Sequence, residues 1–104
     1  MQDKFKGINL DFLFKAILSL ESMEECYAFF DDLCTVQELK SISQRLLVAK
    51  MLSGKRVYSD IVAETGASTA TISRVNRSLH YGSDGYRIIF ERLDEGACQA
   101  TDTE

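Results

Sequence analysis

The chain has 104 residues, 45% of them hydrophobic, with no proline and a formal net charge of -4. That length holds one small domain with a real core, not two. No apolar run reaches the roughly 18 to 20 residues of a membrane span, and the first residues, MQDKFKGINLD, mix both charge signs without a cleavage-type pattern, so a cytoplasmic protein is expected.

The lack of proline and the placement of glycines between apolar segments predict an all-α fold of about six helices. Asp11 to Leu20 carries Phe12, Leu13, Ala16, Ile17 and Leu20 at helical spacing. Ser22-Met-Glu-Glu25 is a capping-box pattern, opening a helix from Met23 to Leu33. Thr35-Val-Gln-Glu38 is a second such pattern, and the long helix it starts runs to about Ser53. Its expected inner stripe is Leu39, Ile42, Leu46, Ala49 and Met51/Leu52, with Gly54 as the left-handed terminator. Ser59 is expected to cap a short helix ending at Thr65-Gly66, and Ser68 the next, from Thr69 to about His80. Gly82-Ser-Asp-Gly85 reads as a flexible break before a last helix, about Tyr86 to Leu93. Residues 1–94 are thus expected to form the single domain and 95–104 a disordered acidic tail.

Cys26, Cys34 and Cys98 form no CxxC pair, and His80 is the only histidine. Free thiols in a reducing compartment are expected, with no metal site. No acid, base and nucleophile cluster at recognisable spacing, so the chain reads as a non-enzyme.

Net charge hides a segregation. Residues 1–39 carry three Lys against eight acids, residues 40–80 seven Lys/Arg against two acids, and residues 81–104 two Arg against six acids. A basic middle between acidic ends is the footprint of an anionic partner.

The basic middle contains Asp60-Ile-Val-Ala-Glu-Thr-Gly-Ala-Ser-Thr-Ala-Thr-Ile-Ser-Arg74, which has the layout of a helix-turn-helix within 59–80. Ile61 and Val62 are expected to face the core, Gly66 to supply a positive φ, Ala67 to pack inside and Ser68 to cap the second helix. Ile72, Val75 and Leu79 form its buried line. Thr69, Ala70, Ser73, Arg74 and Arg77 are then left toward solvent, where small residues allow close approach to DNA and arginine reads guanine or phosphate. Ser59 and Ser68 mark two helix N-termini able to meet phosphate. Lys55 and Arg56 add sequence-independent attraction.

The run Gly66-Ala67-Ser68-Thr69-Ala70-Thr71-Ile72-Ser73-Arg74, with Ser78-Leu79, resembles the Trp-repressor family, in particular its YerC/YecD-type Trp-repressor-related proteins. Leu33-Cys34-Thr35 with Glu38 and Arg45 resembles another of its signatures, and the resemblance covers about residues 30 to 95. It implies an intertwined, all-helical homodimer that binds operator DNA as a transcriptional repressor. Such a dimer agrees with the apolar surplus of Phe12, Phe14, Ile17, Leu18, Leu20, Tyr27, Phe29 and Phe30, more than two short helices can bury within one chain.

The corepressor pocket that the resemblance implies maps to Thr35, Arg45, Thr71, Arg74 and Ser78. Val75 departs from the pattern, because the tryptophan-binding member has glycine there, and the valine side chain would fill the hole. The expectation is therefore a regulator that requires no cofactor, with L-tryptophan or another small effector left open. The alternative is a dimeric helical protein–protein interaction module without direct DNA readout, suggested by the acidic majority of the chain.

Overall fold

The computed structural model describes the backbone of residues 9–100 and the side chains of residues 9–94. Six helices make up the fold: α1 (Leu10–Leu18), α2 (Met23–Leu33), α3 (Val36–Ser53), α4 (Tyr58–Thr65), α5 (Thr69–Tyr81) and α6 (Gly85–Ala100). No strand occurs among the described residues. The chain divides at Val36/Gln37 into two compact units, the first holding α1 and α2, the second α3 to α6.

In the first unit, α1 stops at Leu18, short of the expected Leu20. The Ser19 hydroxyl donates to the Ala16 carbonyl at 2.6 Å, and the Ser19 and Leu20 amides fold back onto Ala16 and Ile17. Such local bonds offer the backbone an alternative to further helix. At the start of α2, Ser22 Oγ accepts from the Glu25 amide at 3.1 Å. The Glu25 carboxylate does not return the bond to Ser22 but accepts from the Glu21 amide at 2.8 Å. Neither helix has a buried residue, and Phe12, Leu18, Met23 and Tyr27 are all at least 70% exposed.

The core lies in the second unit. Val48, Ala49 and Met51 from α3, Ile61 from α4, Ala67, Ile72 and Val75, and Phe90 from α6 are buried, with Leu52, Leu79 and Tyr86 packed against them. The inner stripe expected along α3 holds only toward its end, since Ile42 and Leu46 are about half exposed. The end of α3 is a Schellman motif, in which the Arg56 amide bonds the Met51 carbonyl at 3.1 Å and the Lys55 amide bonds Leu52 at 2.9 Å. The left-handed residue is therefore Lys55 (φ 63°), one position beyond the expected Gly54.

Between α4 and α5 the backbone turns at Gly66, with φ 74°. The Gly66 amide closes on Val62 at 2.9 Å. Thr65 stitches the corner, its hydroxyl donating to Ile61 at 2.7 Å and accepting from the Ala67 amide at 3.1 Å. Gln44 of α3 donates to the Thr65 carbonyl at 3.1 Å, tying the corner to the long helix. Ser68 caps α5 as expected, accepting from the Thr71 amide at 3.1 Å. Two expectations need correction. Val62 is 38% exposed, because the single buried ridge of this eight-residue helix is taken by Ile61. Ser59 caps nothing: α4 begins at Tyr58, and its N-cap is Val57, whose carbonyl accepts from the Ile61 amide.

Helix α5 leaves through Gly82, where an added Cβ would lie 2.3 Å from the Ser78 carbonyl oxygen. The connection to α6 spans residues 82–84. Helix α6 is held to α3 by Lys50, whose Nζ lies 5.3 Å from the Phe90 ring centre and 3.1 Å from Asp94. It continues to Ala100, past the expected end at Leu93, through a segment with no proline and two alanines that favour helix. The rest of the expected tail, residues 101–104, lies outside the described residues, as does the side chain of Cys98.

Two substitutions at left-handed positions should act in opposite directions. Gly66→Ala meets open space but a strained φ, and should cost about 1 to 2 kcal/mol in urea unfolding. Lys55→Gly removes the same kind of strain and should raise stability by roughly 1 kcal/mol.

Candidate nucleic-acid interface

The burial of α5 sorts its side chains into faces. At about 100° per residue, the buried Ile72 and Val75 and the half-buried Leu79 make one ridge. Roughly opposite it lie Ala70, Ser73 and Arg77, with Thr69 on the flank, all exposed. Arg74 and Ser78 fall on a third side, together with Thr71.

The outward stripe opens on a groove of about 450 Å³ lined by Tyr58, Ser73, Asn76, Arg77, His80 and Tyr81. Two of the nine expected DNA-contacting residues, Ser73 and Arg77, stand in it. Thr69 and Ala70 continue the stripe toward the helix start, and Ser68 sits at the N-cap. Ser59 and Lys55 are exposed nearby in sequence. Tyr58, Asn76, His80 and Tyr81 are the residues that sequence reasoning missed. The 73-76-77-80 spacing was available to find two of them, Asn76 and His80.

The cations are not equivalent. Arg77 and Lys55 have no ion-pair partner among the described residues, whereas Arg56 is bound by Glu64 and lies 3.8 Å from Asp60. Arg56 thus pairs with the two acids of α4 and offsets their charge. Arg87 is likewise occupied, pairing with Asp84 and Glu91 at 3.7 and 3.3 Å; the Glu91 hydrogen bond and then the Asp84 charge hold its guanidinium above the ordinary value.

Arg74 takes the other side. It lines a cavity of about 310 Å³ with Ile42, Arg45, Leu46, Val75, Ser78 and Tyr86. Of the five positions expected around a small ligand, the structure brings Arg45, Arg74 and Ser78 together here. Thr71 is not in the lining, and its hydroxyl accepts from Ser68 at 3.1 Å. Thr35 belongs to the first unit. Two guanidinium groups with no ion-pair partner among the described residues, over an apolar floor, suit an anion with an apolar body. The Val75 side chain already forms part of that floor, only 2% exposed.

No cluster of three His, Cys, Asp or Glu able to hold a metal occurs among the described residues. Cys26 and Cys34 are free thiols. No helix among the described residues is long and apolar enough to cross a membrane.

Comparison with known proteins gives consistent matches. The sequence model of the Trp repressor protein family matches residues 8–94. A Bacillus subtilis (strain 168) protein, YerC, itself uncharacterized, is 57% identical over 93 residues, which cover 89% of each chain. A crystal structure of a candidate Trp repressor from Staphylococcus aureus superposes with a TM-score of 0.84 at 57% identity, covering 90% of this chain and 94% of that one. A TrpR-like protein from Eubacterium eligens ATCC 27750 gives a TM-score of 0.84 at 59% identity, covering 88% and 95%.

Because Val75 both fills the cavity floor and packs in the core, Val75→Gly should cost about 2 to 4 kcal/mol in urea unfolding, from lost burial and helix propensity together. A cost under about 1 kcal/mol, the helix penalty alone, would show that the side chain is not packed as described.

Proposed function

Since this chain belongs to the Trp repressor family, we propose that it is a sequence-specific, DNA-binding transcriptional repressor acting as a homodimer. The family itself suggests a DNA-binding regulator. The observation that carries the finer reading is the outward stripe of α5. Burial of Ile72 and Val75 leaves Thr69, Ser73 and Arg77 exposed on a helix whose N-terminal half is built from small side chains. Such a face enters the major groove, where Arg77 reads guanine or holds phosphate and the hydroxyls bond phosphates or base edges. Ser68 and Lys55 support it from the flanks. Arg56 acts indirectly, by cancelling Asp60 and Glu64, which would otherwise repel the duplex.

Dimerisation is supported by the bare apolar faces of the first unit. Phe12, Phe14, Leu18, Tyr27 and Leu33 are each half or more exposed, a patch that a second copy would remove from water at about 25 cal/mol per Å². Each subunit then reads half of a near-palindromic site, with half-sites about one DNA turn apart. The cytoplasm is where such a regulator meets its operator.

The reading requires no resident cofactor. A small effector has a place to act in the cavity, where Arg45 and Arg74 would hold its anionic group. Val75 stands against an indole ring there, so calorimetry should find no tight L-tryptophan binding by the parent chain, and tight binding would overturn that view of Val75.

Fluorescence titration with a duplex enriched from a random pool tests the interface. Arg77→Ala should weaken binding by about 1 to 3 kcal/mol and reduce its salt dependence. Arg56→Ala should weaken binding less, while changing stability by under about 1 kcal/mol because its pairs are exposed. Absence of any salt-sensitive binding would overturn the proposal. A partner retained after nuclease treatment would instead favour a protein–protein module.

A further inference from the structure

The groove beside the outward stripe contains one group whose chemistry the DNA-reading helix does not account for. His80 lies near the far end of α5, two turns beyond Ser73, with its Nδ1 at 2.9 Å from the Asn76 carbonyl oxygen. A carbonyl oxygen can only accept, so Nδ1 carries the hydrogen. The remaining ring nitrogen, Nε2, is then a lone-pair acceptor in the neutral ring and a donor only in the imidazolium. His80 is also the only histidine in the chain.

The groups that share the groove with it are Tyr58 from α4 and Ser73, Asn76, Arg77 and Tyr81 from its own helix. Among the described residues no carboxylate lines the groove. Arg77 supplies a fixed positive charge three residues away, and Tyr58 and Ser73 supply hydroxyl donors. A site of one guanidinium, three hydroxyls, a carboxamide and a ring nitrogen, with no acid among its described lining residues, suits a phosphodiester oxygen. A phosphate offers acceptors only, so it meets the neutral ring lone pair to lone pair. It meets the imidazolium through an N–H donor. Two cations on one helix three residues apart repel each other, and an anion between them converts that repulsion into shared attraction.

We propose that Tyr58, Arg77 and His80 grip a backbone phosphate of the duplex, and that His80 does so as the imidazolium, so that each subunit takes one proton from solvent on binding DNA. The inference rests on the DNA-binding reading but goes beyond it. It makes affinity fall as pH rises.

Fluorescence anisotropy of the full chain with a labelled random-sequence duplex, at fixed low ionic strength and pH 6 to 8, tests it. Random sequence suffices because phosphate contacts carry no sequence information. The parent should bind about tenfold more weakly at pH 8 than at pH 6. His80→Gln should bind weakly with no pH dependence, and His80→Lys, a permanent cation, should bind well at both ends of the range. Tyr58→Phe should weaken binding about threefold while keeping the pH dependence. Parent affinity that is flat with pH overturns the proposal and leaves DNA binding standing, as does pH dependence that persists in His80→Gln. If the parent binds no duplex at all, the DNA-binding reading falls and this inference with it.

Discussion

The rotation of α5 about its own axis is set by the burial of Ile72 and Val75 against Ile61 and Val48, and everything proposed for the molecule depends on it. The α4–α5 corner makes that burial possible. Gly66 turns the backbone in a region other residues avoid, and the Thr65 hydroxyl satisfies groups on both sides of the turn. Gln44 fastens the same corner to α3. Turning α5 by one residue would carry Ile72 into water and Ser73 into the core. The choice of outward face is therefore decided by several kcal/mol of buried apolar surface, which no single polar contact on the exposed side could offset.

Fixing the rotation also separates two kinds of arginine. Arg77 stands over the groove with Tyr58, while Arg74 stands over the cavity with Arg45. One helix thereby forms a wall of both. An effector of the proposed kind, seated in the cavity, would press on the back of the element whose front is proposed to meet DNA. Charge follows the same local logic. The chain is acidic as a whole, yet the acids of α4 are tied to Arg56 and none of the described residues lining the groove is an acid. Local field, not net charge, decides what a helix can approach.

Much of this was legible in the sequence, and what was not has physical reasons. The order of the helices followed from apolar periodicity. The corner residues Gly66, Ala67, Ser68 and Ile72 could be placed because each needs a particular residue type. The end of α3 was harder, since a Schellman motif with a lysine in the left-handed position breaks the usual preference for glycine there. Ser59 misled because a good capping residue one position inside the helix looks like a cap. Arg56 looked free because its partners depend on the path of the chain after α3. His80 drew no functional reading because a lone histidine on a polar helix carries no pattern; only its bond to Asn76 gives it a defined free nitrogen. The tail was judged by composition, which does not register that a helix already formed by residues 85–94 can propagate.

The most direct measurement is amide and side-chain NMR shift mapping of the chain as a selected duplex is titrated in. The account predicts perturbations concentrated on Thr69, Ser73, Arg77 and Tyr58, with Ile72 and Val48 little changed. Perturbations confined to the Lys50–Asp94 side of the molecule, with the α5 stripe silent, would contradict it.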